Sequence, residues 1–221
     1  MPETLRDTLD FLRDLGANNT KQWFDQHRAR YEKARGYFED FITDLIYNFG
    51  DVEDLSGVTA KECMFRINRD IRFSPDKTPY KTSMSAVLAR GGRKPQGRAY
   101  YVHIEPDGKS LLGGGLHSPD SSQLEKVRRA IAQNSKPLKT VIQRKDFVKY
   151  FGAMSGERLK TAPQGYPKDH PDLELLRLKQ YVVDHTLSDE QVLAENLTTH
   201  ILDVFKEMKP FVGYFQAILE A

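Results

Sequence analysis

Apolar residues recur every three or four positions over the first fifty residues. Leu5, Leu9 and Leu12 stand at i, i+4 and i+7, which predicts a first helix that Gly16 can stop. Asn19 or Thr20 is placed to cap a long second helix. Its apolar stripe runs Phe24, His27, Tyr31, Ala34, Phe38, Phe41, Ile42, Leu45, opposite a polar face carrying Arg28, Arg30, Glu32, Lys33 and Glu39. A histidine on such a stripe reads first as a packed, hydrogen-bonded side chain. From about residue 58 the period falls to two. Phe65, Ile67, Ile71 and Phe73 alternate with Arg66, Asn68, Asp70 and Arg72, which predicts a strand. Further strands are expected at 83–89, 99–105 and near 110–112, joined by a polar loop at 90–98 and an Asp107-Gly108 turn.

Helical spacing returns after Gly113-Gly114-Gly115. Ser118 with Pro119 can open a helix carrying Leu124, Val127 and Ile131, and a shorter one is expected over 136–144. Residues 152–172 read as an ordered surface loop, and Tyr181–Val183 as an edge strand. Ser188 and Gln191 form a capping box before a helix with Val192, Leu193, Leu197, Ile201, Val204 and Phe205. Pro210 is expected to end or kink that helix before a last one with Phe211, Phe215 and Leu219. Helices first, a mainly antiparallel sheet in the middle and helices last predict a single α+β domain over residues 1–221.

Composition narrows the class. Among 221 residues, one cysteine, Cys63, excludes a disulfide framework and a multi-thiolate metal centre. No apolar run approaches the roughly 18 residues of a spanning helix, and the acidic, polar start MPETLRDTLD does not read as a secretory signal. A cytoplasmic protein with no membrane partner is the expectation. The net charge is only +2, yet residues 61–100 hold 10 basic and 3 acidic side chains, +7 in that stretch. Such a block is either a solvated basic rim or a site for an anion.

The chemistry concentrates in residues 65–82. Arg66, Arg69, Arg72, Lys77 and Lys81, with Tyr80 among them, are candidate ligands for a phosphate or carboxylate. The competing reading is an arginine–aspartate network that locks the sheet to the helices. On the third expected strand His103 and Glu105 share one face with Tyr101. They are the candidate acid–base pair, with His117 and His170 as the available further metal ligands. His170, beside Asp169 in a turn-rich loop, and Arg177 complete the candidate set. The glycine triplet is either an anion-binding nest or a tight strand-to-helix corner. Gly108-Lys109-Ser110 lacks the leading glycine of a phosphate loop, since that position is His103. Ser74-Pro-Asp-Lys77 lacks the companion motifs of penicillin-binding enzymes. The expectation is no metal and no cofactor.

Several of these stretches together resemble one family. They are Asn18-Asn19 before Gln22-Trp23-Phe24, the block from Phe65 to Lys81, and Tyr100-Tyr101 with His103-Ile104-Glu105-Pro106. Gly113-Gly114-Gly115, Lys168-Asp169-His170-Pro171 and Leu175–Lys179 complete the set. They look like the bacterial and fungal family known as domain of unknown function twenty-four sixty-one, over nearly the whole chain. The resemblance implies one intracellular α+β domain and carries no reaction, cofactor or catalytic residue. From the residues, the first expectation is a domain that binds, and acts on, a small anion. The second is a non-catalytic module whose basic rim, with Arg90, Arg93, Lys94 and Arg98 outermost, docks nucleic acid or an acidic protein.

Overall fold

Two helical layers enclose the inner face of a sheet. The structure, a computed structural model, describes residues 2–95 and 98–221, with side chains from residue 5 onward. Gln96 and Gly97 of the expected 90–98 loop therefore lie outside the described residues. Helix α1 (Pro2–Ala17) buries Leu5, Leu9, Phe11, Leu12 and Leu15. The expected long second helix is two, α2 (Lys21–Gln26) and α3 (Arg28–Tyr47), and Thr20 caps the first by accepting from the Trp23 amide. The break falls at His27, whose ring stacks on Trp23 and takes the Trp23 carbonyl at 2.8 Å. Its backbone leaves helical geometry at φ −109°, ψ 18°. A short helix, α4 (Ala60–Cys63), leads into the sheet.

Four described strands, β1 (Met84–Leu88), β2 (Tyr100–Ile104), β3 (Ser110–Leu116) and β4 (Tyr181–Leu187), pair antiparallel in sequence order. Asp107 and Gly108, both at positive φ, turn β2 into β3 with the hand that matches strand twist. Between β3 and β4 the chain makes α5 (Ser121–Gln133), α6 (Lys136–Ile142), α7 (Lys145–Phe151) and α8 (Leu173–Leu176). After β4 come α9 (Asp189–Val192) and α10 (Leu197–Glu220). Met84, Ala86, Leu88, Tyr100, Val102, Ile104, Leu112, Tyr181 and Val183 face inward and are buried with the apolar stripes of α3 and α10. No helix among the described residues is long and apolar enough to cross a membrane.

Four expectations are corrected. Residues 65–73 form no strand. They run beside 79–86 through two isolated bridges, Met64–Ala86 and Asn68–Tyr80. Pro75 and Pro79 cannot donate to a ladder, and the Asp76 side chain caps its own turn by accepting from the Thr78 amide. The glycine triplet is neither nest nor corner but the heart of β3. A Cβ on Gly114 would collide with Met208 Sδ of α10, and Gly115 sits at φ 120° against the Tyr181 carbonyl. Asp120, not Ser118, caps α5, in a box with Gln123. Pro210 neither ends α10 nor divides it. It leaves the Lys206 carbonyl without its helical donor while buried apolar residues on both sides hold the helix together.

Candidate functional site

The outer face of the sheet carries a continuous line of polar side chains. On β2, strand alternation sends Tyr101, His103 and Glu105 outward, away from buried Tyr100, Val102 and Ile104. Register places Ser85 of β1 opposite His103, and Val87 opposite Tyr101. His103 Nε2 lies 2.8 Å from Glu105 Oε2, and His103 Nδ1 lies 3.1 Å from Tyr101 Oη. The other Glu105 oxygen accepts from Thr82 Oγ1 at 2.9 Å. Glu105 is held in place from its backbone as well. Its amide donates to Ser110 Oγ, and the Ser110 hydroxyl donates back to its carbonyl. The Ser85 hydroxyl lies close enough to the Tyr101 phenol to favour its ionisation. The side chains of His103 and Glu105 are 17% and 21% exposed, so the pair is shielded yet reachable.

The carboxylate fixes the proton positions. It accepts Nε2–H, which leaves Nδ1 as the acceptor for the Tyr101 hydroxyl. Burial pushes the Tyr101 phenol above its ordinary range, the Ser85 hydroxyl works against that, and the charge on Glu105 adds to it.

Phe65 connects this line to the basic segment. Its amide donates to the Ser85 carbonyl at 2.9 Å, which lays its ring edge-on to Tyr101 at 6.4 Å. The Lys81 ammonium sits over the same ring, 5.4 Å from its centre. Burial, and then the charge of Arg66, push Lys81 below the ordinary lysine range. Among the described residues no carboxylate lies within 4 Å of the Lys81 or Arg66 charge. The ion pairs of this region belong to other side chains.

The remaining candidates are engaged elsewhere. Arg69 bonds Asp76 and both the carbonyl and hydroxyl of Thr78, with Ser74 at 3.4 Å, so it braces the 69–78 loop. Asp76 is held below the usual carboxylate range, chiefly by Thr78 and then by Arg69. The Arg72 fork closes on Asp70 through two bonds of 2.9 and 2.6 Å. Lys77 donates to the Ile71 carbonyl. Tyr80 is buried, stacked on Phe24 at 4.0 Å, with its backbone clasped on both sides by the Asn19 carboxamide. His170 accepts from the Asp172 amide, and Arg177 ties down the carbonyls of Leu159 and Lys160 and the Glu174 carboxylate. Both belong to the loop around α8, and no contact joins them to the β2 line among the described residues. Among the described residues His117 bonds to its neighbour Ser118. Three or more histidine, cysteine or acidic side chains nowhere gather as a ligand set among the described residues. On the rim, Arg90 pairs with Asp54, Arg98 with Glu53, and Arg93 with the Glu62 carbonyl.

Sequence parity aligns Tyr101 with His103 and Glu105, and sequence reasoning misses two contributors. Ser85 and Thr82 joined only through strand register, and nothing local announced them. No curated protein and no solved structure matches the chain. A family model described as a conserved hypothetical protein, DUF2461, matches residues 7–214, and the chain belongs to that family.

Proposed function

We propose that this protein binds a small anionic ligand, a phosphoester or carboxylate, on the outer face of its sheet and exchanges a proton with it. The carrying observation is the Lys81 ammonium, with no carboxylate within 4 Å among the described residues, held on the Phe65 ring that also meets Tyr101 of the Tyr101–His103–Glu105 line, while Arg66 is near enough to depress its proton affinity. A half-buried ammonium with no counter-ion is destabilised, and an anion that docks there relieves the cost. The Lys81 ammonium supplies charge, Arg66 supplies a planar fork, and the His103–Glu105 pair supplies the acid–base function. Of the predicted cluster, Arg69, Arg72 and Lys77 serve this reading only indirectly, by holding the loop that follows Arg66.

The test is calorimetric titration with inorganic phosphate at low salt. Phosphate should bind, Lys81→Met should weaken it about ten-fold, the equivalent of about 1.4 kcal/mol, and Arg72→Ala should leave it unchanged. Absence of heat and of thermal stabilisation by phosphate at tens of millimolar would sink this reading. One observation favours a second: Phe73 stands 94% exposed at the loop tip with the Arg72 guanidinium over its ring. An exposed ring with a cation suits stacking of a single-stranded nucleic acid base. Oligonucleotide binding with a steep salt slope, lost in Phe73→Ala, would favour that docking role over the small anion.

A further inference from the structure

Every heteroatom of the His103–Glu105 pair has a partner inside the protein. Glu105 takes Nε2 and Thr82 with its two oxygens, and Tyr101 covers Nδ1. A ligand on the sheet face therefore has no open edge of the imidazole to meet. Tyr101 Oη is different. It gives its hydrogen to Nδ1 and, as a phenol, keeps acceptor capacity to spare. We infer that Tyr101 is the oxygen through which this site acts, with His103 as the base behind it and Glu105 orienting that base. The inference rests on the anion reading for where the ligand sits, and adds the residue that touches it.

The arrangement is that of a nucleophile–base–acid line with a tyrosine at its head. When Tyr101 Oη takes a hydrogen from the ligand, the bonding pair stays on the ligand; when it attacks an electrophilic atom, the leaving group departs with its bonding pair; in both cases the phenol's own proton passes to His103 Nδ1. The imidazolium that results lies 2.8 Å from the Glu105 carboxylate. Lys81, on the Phe65 ring that Tyr101 also meets, supplies positive charge for the ligand. A free phenol near neutral pH is a weak nucleophile and burial makes the Tyr101 phenol harder still to ionise, so activation comes from His103 taking the proton as the new bond forms.

An electrophile reads this property without knowledge of the natural ligand. The probe is 4-(fluorosulfonyl)benzoate, whose carboxylate suits Lys81 and Arg66. In the step, the Tyr101 O–S bond forms, the S–F bond breaks, fluoride leaves, and the phenolic proton goes to His103 Nδ1. Peptide mass spectrometry over a time course should find Tyr101 modified faster than any other of the ten tyrosines. His103→Gln should slow that adduct about 100-fold, the lower end of what general base catalysis provides. Glu105→Gln, which keeps the shape of the side chain, should slow it about 10-fold and serves if His103→Gln fails to fold. Exposed Tyr47 reacting first with Tyr101 unmodified, or a Tyr101 rate indifferent to both substitutions, overturns the inference. The two readings separate cleanly. Phosphate binding without Tyr101 labelling removes the tyrosine and leaves the anion site, whereas His103-dependent labelling that ignores Lys81→Met and phosphate removes the anion site and leaves the tyrosine.

Discussion

Lys81 is positioned from a distance by one asparagine. The Asn19 carboxamide donates to the Tyr80 carbonyl at 2.9 Å and accepts from the Tyr80 amide at 3.1 Å, while the Tyr80 ring lies flat on Phe24. This clasp fixes the chain immediately before Lys81 to the helical layer. Asn19→Ala removes both bonds at once and strands a donor and an acceptor in a part-buried place. At about 0.5–1.5 kcal/mol per net bond, with an added penalty for unmet groups, the loss comes to about 2–3 kcal/mol. For a chain of this size about 2–4 °C accompanies each kcal/mol, so the melting temperature should fall by about 4–12 °C. The neighbouring residue supplies the control. Asn18 is exposed and its side chain bonds to the Asp14 carbonyl, so Asn18→Ala should stay within about 0.5 kcal/mol of wild type. Urea denaturation of both variants, with slopes compared, measures the difference. Phosphate affinity should weaken in Asn19→Ala and not in Asn18→Ala, because only the first releases Lys81. Equal stability of the two variants would refute the reasoning.

The reach of the sequence follows from which interactions are local. Helix stripes, the Asp107-Gly108 turn and the Ser188–Gln191 box depend on neighbours within a few residues, and the structure has them. The alternation of Phe65 to Phe73 also looked local, but a strand needs a partner that Pro75 and Pro79 deny it. Asp70 and Asp76 instead satisfy Arg72 and Arg69 within the loop. Here an aspartate–proline turn chemistry outweighed a period of two. Parity along β2 was enough to align Tyr101, His103 and Glu105. Ser85, Thr82 and Phe65 reach them through strand pairing, which the pattern of one strand does not contain. The glycine triplet misled for the same reason, since its need for space comes from Met208, almost a hundred residues on.

The other expected outcomes concern the loop and a histidine pair remote from the site. Arg69→Ala should cost about 1–2 kcal/mol, below the several expected for a fully buried pair, because the side chain is 25% exposed while losing four bonds. Arg72→Ala should cost under about 1 kcal/mol, since its pair with Asp70 is solvent-screened at 75% exposure; chemical denaturation ranks the two, and the reverse order would count against the bracing role. The pH dependence of stability should trace partly to His200. His185 donates Nδ1–H to the Tyr150 carbonyl at 2.8 Å, so its Nε2 faces His200 Nε2, 3.2 Å away, as an acceptor. Burial, and then the proximity of His185, lower the proton affinity of His200, and Asp203 opposes them. A lowered histidine binds fewer protons folded than unfolded at acid pH. Its contribution is therefore intact above the unfolded value of about 6.5 and is lost as pH falls from there through the depressed folded value. Replacing the imidazole removes that linkage, so His200→Gln should lose less stability than wild type between pH 7.5 and pH 5. Parallel curves for the two proteins in urea would show that the pair carries no such strain.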